Sequence, residues 1–376
     1  MLTVISRPPN DLFTFSLVTE LISKIKTEYE AYYIWTSPPE KFKHFFENTA
    51  FTKPFVILVI KDLLDLYMPF NYWNDTIQAG SQLIIEMTSK YPTTTFVIFT
   101  SNENLDKELV SPNIHIIPLG GDITNQFIEY PKITPVIDKN FDSTNTFISL
   151  NRHHRPHRIL LLSYLYGNNY NQFGNCTLLT NTHSLNNELL NMISWEFDDR
   201  HTIEKEKFIL GYRKIYYDLN LSTEDYQIYK YDNNDNVINF EQKLRSKYVN
   251  SFVEFITESS FEAPAFMLTE KTLNSIYGCN FPIFLGGIGI VAHLRDLGLD
   301  VFDDIVDHSY DQIINPIDRI IAAVEYNHQL LTDIIYTKEQ WIKAKDRFLS
   351  NVEVAKTIYT WYATRARTCF YKLRIA

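Results

Sequence analysis

The feature that most constrains the fold is a continuous apolar run, FVILVIK, at Phe55–Lys61. A strand that is apolar at every position suits a sheet covered on both faces, as parallel sheets in α/β proteins are. Further strands are predicted at Leu2–Ser6, Tyr32–Thr36, Thr95–Thr100 and Ile114–Pro118, and helices at Leu12–Tyr29 and Thr76–Lys90. This alternation predicts a doubly wound α/β domain over residues 1–143.

A second α/β domain is predicted over residues 144–335. Its strands are expected at Asn145–Leu150, Ser251–Thr257 and Phe281–Leu285, with helices at Ile159–Tyr166 and Ile317–Tyr336. The stretch Gly120–Ser143 contains Pro131 and Pro135 and is interpreted as the connection between the domains. A helical pattern at Lys338–Leu373 predicts a C-terminal extension over residues 336–376.

Composition narrows the class of protein. The chain is 45% hydrophobic and 15% aromatic, enough to bury sizeable cores. Its formal net charge of -10 argues against a general nucleic-acid binder. No apolar run approaches the ~20 residues of a membrane span, and we see no signal peptide, so a cytoplasmic protein is expected. Three widely separated cysteines, Cys176, Cys279 and Cys369, lack metal-ligand spacing and are expected to be reduced thiols.

The first candidate site is the segment MLTEKTLNSIYGCNFPIFLGG at Met267–Gly287, where a helix begins and a strand follows. Thr269 is suited to cap the helix, and Glu270 and Lys271 fall in its first turn. A helix N-terminus attracts anions, so this position suits a diphosphate or a ribose phosphate. The alternative is a capped surface helix with an ordinary Glu–Lys pair.

The second candidate site is NRHHRPHR at Asn151–Arg158, directly after a predicted strand. Ligands bind at the carboxyl ends of strands in open α/β sheets, and Arg152, Arg155 and Arg158 could contact a diphosphate there. A solvated basic loop is the alternative. The histidines of this run have no acidic partner at metal-ligand spacing, and the pairs Asp198–Asp199 and Asp303–Asp304 are interpreted as surface acid, so no metal site is predicted.

Four segments together resemble the donor-binding region of α1,3-fucosyltransferase-like glycosyltransferases and their phage and giant-virus relatives. They are FVEFITESS at Phe252–Ser260, LTEKT at Leu268–Thr272, FPIFLGG at Phe281–Gly287 and LRDLGLDVFDDIVDHSYD at Leu294–Asp311. The family's Phe-Glu-Asn-Ser has no matching Asn here, where Ile256, Thr257, Glu258 and Ser259 stand.

The resemblance implies two Rossmann-like domains facing across a cleft, the GT-B arrangement, with the C-terminal helices crossing back to the first domain. It implies transfer of a sugar from a nucleotide-sugar donor, GDP-linked and fucose-like, to a hydroxyl of a glycan, a protein or a modified DNA base. The transfer would be inverting and metal-independent and would need no cofactor. The implied donor-binding residues are Asn151, Arg152, Arg155, Arg158, Glu258, Thr269, Glu270 and Lys271, with Glu270 on the ribose and Lys271, Arg152 and Arg155 on the phosphates.

An inverting transfer needs a carboxylate that takes the proton of the acceptor hydroxyl. FTSNEN at Phe99–Asn104 resembles a Phe-Thr-Gly-Glu-Asn segment of the family, which makes Glu103 one candidate base. Asp62, after the predicted strand at Phe55–Lys61, is another, and Asp11 a third; ordinary loop carboxylates are the alternative for each. The alternative function is a non-catalytic virion or assembly protein that keeps the transferase fold but has lost the motif's Asn.

Overall fold

A computed structural model gives the architecture of the chain. It describes residues 2–4, 12–25, 28–35, 44–45, 47–61, 84–86, 88–100, 111–118, 132–151, 155–178, 202–218, 240–258, 261 and 268–373. Within these residues nine strands form two sheets, and every strand pairing is parallel. The prediction of a parallel α/β, Rossmann-like fold is confirmed at this level.

The first sheet has the strand order β1-β2-β3-β4-β5. Its strands are β1 (Leu2–Val4), β2 (Tyr29–Trp35), β3 (Phe55–Lys61), β4 (Thr95–Thr100) and β5 (Ile114–Pro118), and helix α1 (Leu12–Ile22) lies between β1 and β2 in the chain. The bounds of β3, β4 and β5 are those predicted. Helix α1 ends at Ile22 instead of Tyr29, and β2 begins at Tyr29, three residues before its predicted start.

Strand β3 is buried on both faces, as its continuous apolar sequence predicts. Ile57 and Val59 belong to a core cluster with α1 and the C-terminal helix, whereas Val56 and Leu58 belong to a second cluster. The first cluster includes Leu17, Val18, Leu21, Val97, Phe99, Ala363, Ala366 and Phe370; the second includes Phe45, Phe51, Ile84, Phe96 and Ile98. Alternate residues of one strand therefore serve opposite faces of the sheet.

The second sheet has the strand order β7-β6-β8-β9. Its strands are β6 (Phe147–Asn151), β7 (Gly174–Leu178), β8 (Val253–Thr257) and β9 (Phe281–Leu285). Helix α2 (Pro156–Gly167) lies between β6 and β7 in the chain, α3 (Thr202–Asp218) and α4 (Arg245–Val249) lie between β7 and β8, and α5 (Glu270–Gly278) lies between β8 and β9. The chain leaves β6 toward β7 on one side and returns to β8 on the other. The neighbours β6 and β8 thus flank a topological switch point, where ligands bind in open α/β sheets.

Four α-helices follow β9 in the chain: α6 (Ile290–Asp296), α7 (Pro316–Glu325), α8 (His328–Thr332) and α9 (Ile334–Lys372). The prediction of one helix over Ile317–Tyr336 is wrong, because the helix breaks at Asn327. The Asn327 side chain accepts from the backbone N–H of Asp307 (2.9 Å) and donates to its carbonyl (3.0 Å). These bonds to a distant loop fix a non-helical residue inside an otherwise helical pattern.

The chain divides into two compact units. One comprises Met1–Ile128, Ala263–Thr269 and Thr357–Ala376, and the other comprises Glu129–Glu262 and Glu270–Lys356. The predicted domain boundaries after residues 143 and 335 stay predictions. Among the helices that the structure describes, we find none with the length and apolar character that crossing a membrane requires.

Candidate functional site

The ends of β6 and β8 meet at the switch point of the second sheet. The backbone ladder between these strands joins Phe147 to Val253 and Ile148 to Glu254. Three residues further on, the Oγ1 hydroxyl of Thr257 donates to Oδ1 of Asn151 over 2.7 Å. Because both residues are buried, this side-chain bond fixes the spacing of the two strand ends.

The first turn of α2 holds the carbonyl groups at the end of β8. Nη2 of Arg158 donates to the Thr257 carbonyl (3.1 Å), and Nε2 of His157 donates to the Glu258 carbonyl (3.0 Å). Both side chains are buried. Arg155 lies just before Pro156, the first residue of the helix, and is partly exposed. Arg158 therefore forms the wall of the site, whereas Arg155 is accessible from solvent.

Glu258 connects β8 to α5 from a fully buried position. Its Oε1 accepts from the Oγ1 hydroxyl of Thr272 (2.6 Å), and its backbone N–H donates to Leu285 (2.9 Å). A Cβ at Gly286 would lie 2.5 Å from Cδ1 of Ile290 and 3.4 Å from Cβ of Glu258. The glycine after β9 thus leaves room for the Ile290 side chain, while its distance to Glu258 is an ordinary van der Waals contact.

Helix α5 begins at Glu270, after the buried Thr269, which confirms the predicted helix start. Nζ of Lys271 lies 3.3 Å from Oε1 of Glu270, and their side chains are 15% and 29% exposed. Burial alone would raise the pKa of Glu270; the charges of Lys271 and Arg158 and hydrogen bonds outweigh it and hold the pKa below its usual value. The first turn therefore carries an ionised carboxylate that solvent can reach.

Phe261 and Arg319 belong to the site although the sequence analysis did not select them. The His157 ring stacks on Phe261 at a centroid distance of 5.0 Å, and Cζ of Arg319 lies 4.0 Å from the Phe261 centroid. Arg319 also donates to the Phe261 carbonyl and is fully buried. The sequence pattern of a helix does not show whether an arginine on it is buried or exposed, so the sequence did not predict Arg319 as a site residue.

The electrostatics of this edge are positive. Burial and then the charges of Arg158, Arg155 and, more weakly, Arg319 lower the pKa of His157 well below its usual value, so the imidazole is neutral. Helices α2 and α5 both begin at this edge, and helix N-termini present free N–H groups and a positive dipole end. The arrangement suits an anionic group, with Glu270 beside it as a hydrogen-bond acceptor.

The structure brings together six of the predicted donor-binding residues: Asn151, Arg155, Arg158, Glu258, Glu270 and Lys271. Thr269 directly precedes them in the chain. Arg152 and the candidate bases Glu103, Asp62 and Asp11 lie outside the described residues. Among the side chains that the structure describes, no group of three or more His, Cys, Asp or Glu has a geometry that could hold a metal ion.

Comparison of the chain with protein-family models, with curated proteins and with solved structures finds no match.

Proposed function

We propose that this chain is a glycosyltransferase that binds a nucleotide-sugar donor at the switch point of the second sheet. The observation that carries the proposal is the position of Glu270 and Lys271 at the start of α5, beside the joined ends of β6 and β8. A partly exposed carboxylate and ammonium, two helix N-termini and an accessible arginine suit a ligand that combines ribose hydroxyls with a diphosphate.

Each residue has a role in this proposal. Glu270 accepts from the ribose hydroxyls, because it stays ionised beside Lys271. Lys271 and Arg155 contact the diphosphate and stabilise the charge that develops on it as the sugar leaves, so the proposed transfer is metal-independent. Asn151, Arg158 and Glu258 hold the strand ends in place and act on the donor through that geometry.

The finer parts of the proposal rest on the resemblance described above. The donor would be GDP-linked and fucose-like, and the acceptor would be a hydroxyl of a glycan, a protein or a modified DNA base. The two α/β units would form the GT-B arrangement, and Glu103 or Asp62 would take the proton of the acceptor in an inverting transfer. Arg152 would add a further contact to the phosphates.

Isothermal titration calorimetry with GDP, UDP, ADP and CMP, and with sugar conjugates of each, tests the proposal. We expect one nucleotide class to bind the wild type, and Lys271→Ala to weaken its affinity at least tenfold through loss of a charge-assisted phosphate contact. Lys343→Ala removes the same charge from an exposed position on α9 and should leave the affinity unchanged. If no nucleotide binds at millimolar concentration, the donor site is wrong and the non-catalytic assembly protein becomes the better explanation.

A further inference from the structure

An open cavity of about 500 Å³ lies in the same unit as the candidate site. It is lined by Arg295 at the end of α6 and by the loop that runs from Asp303 to Gln312. The proposed function assigns no role to this cavity. Its volume falls within the range of small-molecule pockets.

The wall of the cavity is held in one shape by hydrogen bonds. The backbone of Asp307 bonds to the Asn327 side chain, and the Asp307 carboxylate accepts from the N–H and the hydroxyl of Ser309. Asn351 holds the backbone of Asp300, just before the loop, in the same way. A wall fixed through its own polar groups is organised before any ligand arrives.

One end of the cavity lies at the start of α6, at the carboxyl end of β9. Oδ2 of Asp311 accepts from the N–H of Val291 (3.1 Å) in the first turn of α6, which follows β9 after a four-residue turn. The charge of Arg319 acts on both Asp311 and His157. Strands β8 and β9 are parallel neighbours, so the Asp311 end of the cavity and the start of α5 lie beyond the carboxyl ends of adjacent strands.

The lining of the cavity is unsuited to phosphate. Four aspartates, Asp303, Asp304, Asp307 and Asp311, line it with a single arginine, Arg295. Asp303 is paired with Arg295, and Asp304 is paired with Arg347 on α9, so two of the four carboxylates have arginine partners. Burial raises the pKa of Asp311 to about 6, although the hydrogen bond from Val291 and the charges of Arg319 and Arg295 act in the opposite direction. This carboxylate is therefore ionised at pH 7.5. Carboxylates, Ser309 and Gln312 suit a neutral group rich in hydroxyl donors.

We propose that this cavity is the subsite for the sugar of the donor, with Asp311 accepting a hydrogen bond from a sugar hydroxyl. The proposal rests on the proposed function, since the switch point would hold the diphosphate and the cavity the uncharged end of the same molecule. The positive switch point suits the anionic diphosphate of a nucleotide sugar, and the acidic cavity suits its neutral, hydroxyl-rich sugar.

The affinities of a nucleoside diphosphate and of its sugar conjugate test this proposal when they are measured side by side. Asp311→Asn keeps an oxygen for the Val291 N–H but replaces a charged acceptor, so the conjugate should bind about tenfold more weakly while the diphosphate alone is unaffected. Gln312→Trp fills the mouth of the cavity and should have the same selective effect. Asp346→Asn makes the same charge change at an exposed position on α9 and should alter neither affinity.

Equal effects of Asp311→Asn on both ligands, or no effect on either, would overturn the sugar subsite while leaving the nucleotide site intact. If the wild type binds no nucleotide, the proposed function fails. Saturation-transfer NMR with free monosaccharides at tens of millimolar then tests whether the cavity binds a sugar independently of the nucleotide site. Saturation that reaches a monosaccharide in the wild type but not in Gln312→Trp supports it. No transfer in the wild type removes the proposal.

Discussion

Thr257 and Asn151 are joined by a hydrogen bond of 2.7 Å between Oγ1 and Oδ1 at the point where β8 and β6 end. Thr257→Val keeps the shape of the side chain but leaves the buried Asn151 oxygen without this donor. An unsatisfied buried acceptor costs about 1–3 kcal/mol, so the free energy of unfolding should fall by that amount. Urea denaturation measures it.

The same substitution should weaken nucleotide binding, because the strand ends carry the walls of the proposed donor site. Thr368→Val is the matched control, since the Thr368 hydroxyl is exposed and bonds only locally to the Thr364 carbonyl. A Thr257→Val protein as stable as the control would show that the bond does not hold the strand ends.

Gly211 and Gly167 set the distance between α2 and α3. A Cβ at Gly211 would lie 1.8 Å from the Ser163 carbonyl oxygen, and one at Gly167 would lie 2.1 Å from that of Lys207. Helix propensity alone predicts that Gly211→Ala stabilises the protein by about 1 kcal/mol. The clash with backbone predicts the opposite sign, a loss of about 2–3 kcal/mol in the free energy of unfolding.

Urea denaturation of Gly211→Ala therefore decides between propensity and packing. Leu210→Ala, at the neighbouring exposed position of the same helix, should change stability by less than about 1 kcal/mol. A stabilised Gly211→Ala protein would mean that the two helices do not cross at these glycines.

The sequence predicts elements best where local and tertiary preferences agree. The runs at β3, β4, β5 and β9 are almost wholly apolar, and their observed bounds are those predicted. Strand β7 was missed because GNCTL is short and polar, and it lies at the edge of its sheet with only its last two residues buried. Such a strand exists through its pairing with β6, which a local pattern does not contain.

The candidate site shows the same limit. The start of α5 is visible in the sequence, because capping residues and first-turn charges are local signals. The switch point is not, since it depends on the order of strands in the sheet. The buried positions of Arg158 and Arg319 also depend on which carbonyl groups the fold brings to them, namely those of Thr257 and Phe261.

His157 should make stability depend on pH. Burial and the nearby arginines lower its pKa well below the usual value, so the folded protein resists protonation that the unfolded chain accepts below about pH 6.5. The unfolded state then binds more protons, and the free energy of unfolding falls as pH falls, by up to about 1.4 kcal/mol per pH unit.

His157→Gln keeps a donor for the Glu258 carbonyl and removes the titration. The difference in unfolding free energy between wild type and variant should be constant from pH 7 to 8 and shrink as pH falls from 6.5 to 4.5. Urea denaturation across this range measures the difference. Other titrating groups are the same in both proteins, so their contributions cancel when one unfolding free energy is subtracted from the other. A difference that does not change with pH would contradict a buried neutral histidine.

Lys139 lies in the segment that the sequence predicts as a connection, yet it is buried and bonded at three points. Its Nζ donates to the carbonyls of Tyr248 (2.8 Å) and Gly278 (2.7 Å) and to Oδ1 of Asn280 (2.5 Å). Nζ thus lies at the C-terminal ends of α4 and α5, where its positive charge is favourable in the protonated form. Helix α5 carries Glu270 and Lys271 at its other end.

Lys139→Met keeps the length of the side chain but leaves three acceptors without a donor, so the free energy of unfolding should fall by about 3 kcal/mol at pH 7. Burial lowers the pKa of Lys139 to about 7, although the neighbouring Cys279 and Glu254 act in the opposite direction. Between about pH 7 and pH 10.5 the unfolded chain holds a proton that the folded protein has lost, so this group adds stability as pH rises.

The gap in unfolding free energy between wild type and Lys139→Met should therefore widen from pH 7 to pH 9, because the variant lacks the titrating group. Lys343→Met, at an exposed position on α9, should follow the wild type at both pH values. A gap that narrows toward pH 9 would mean that the folded protein holds the Lys139 proton more tightly than the unfolded chain. The three hydrogen bonds would then outweigh burial, and Lys139 would act as a permanent ammonium cap on α4 and α5.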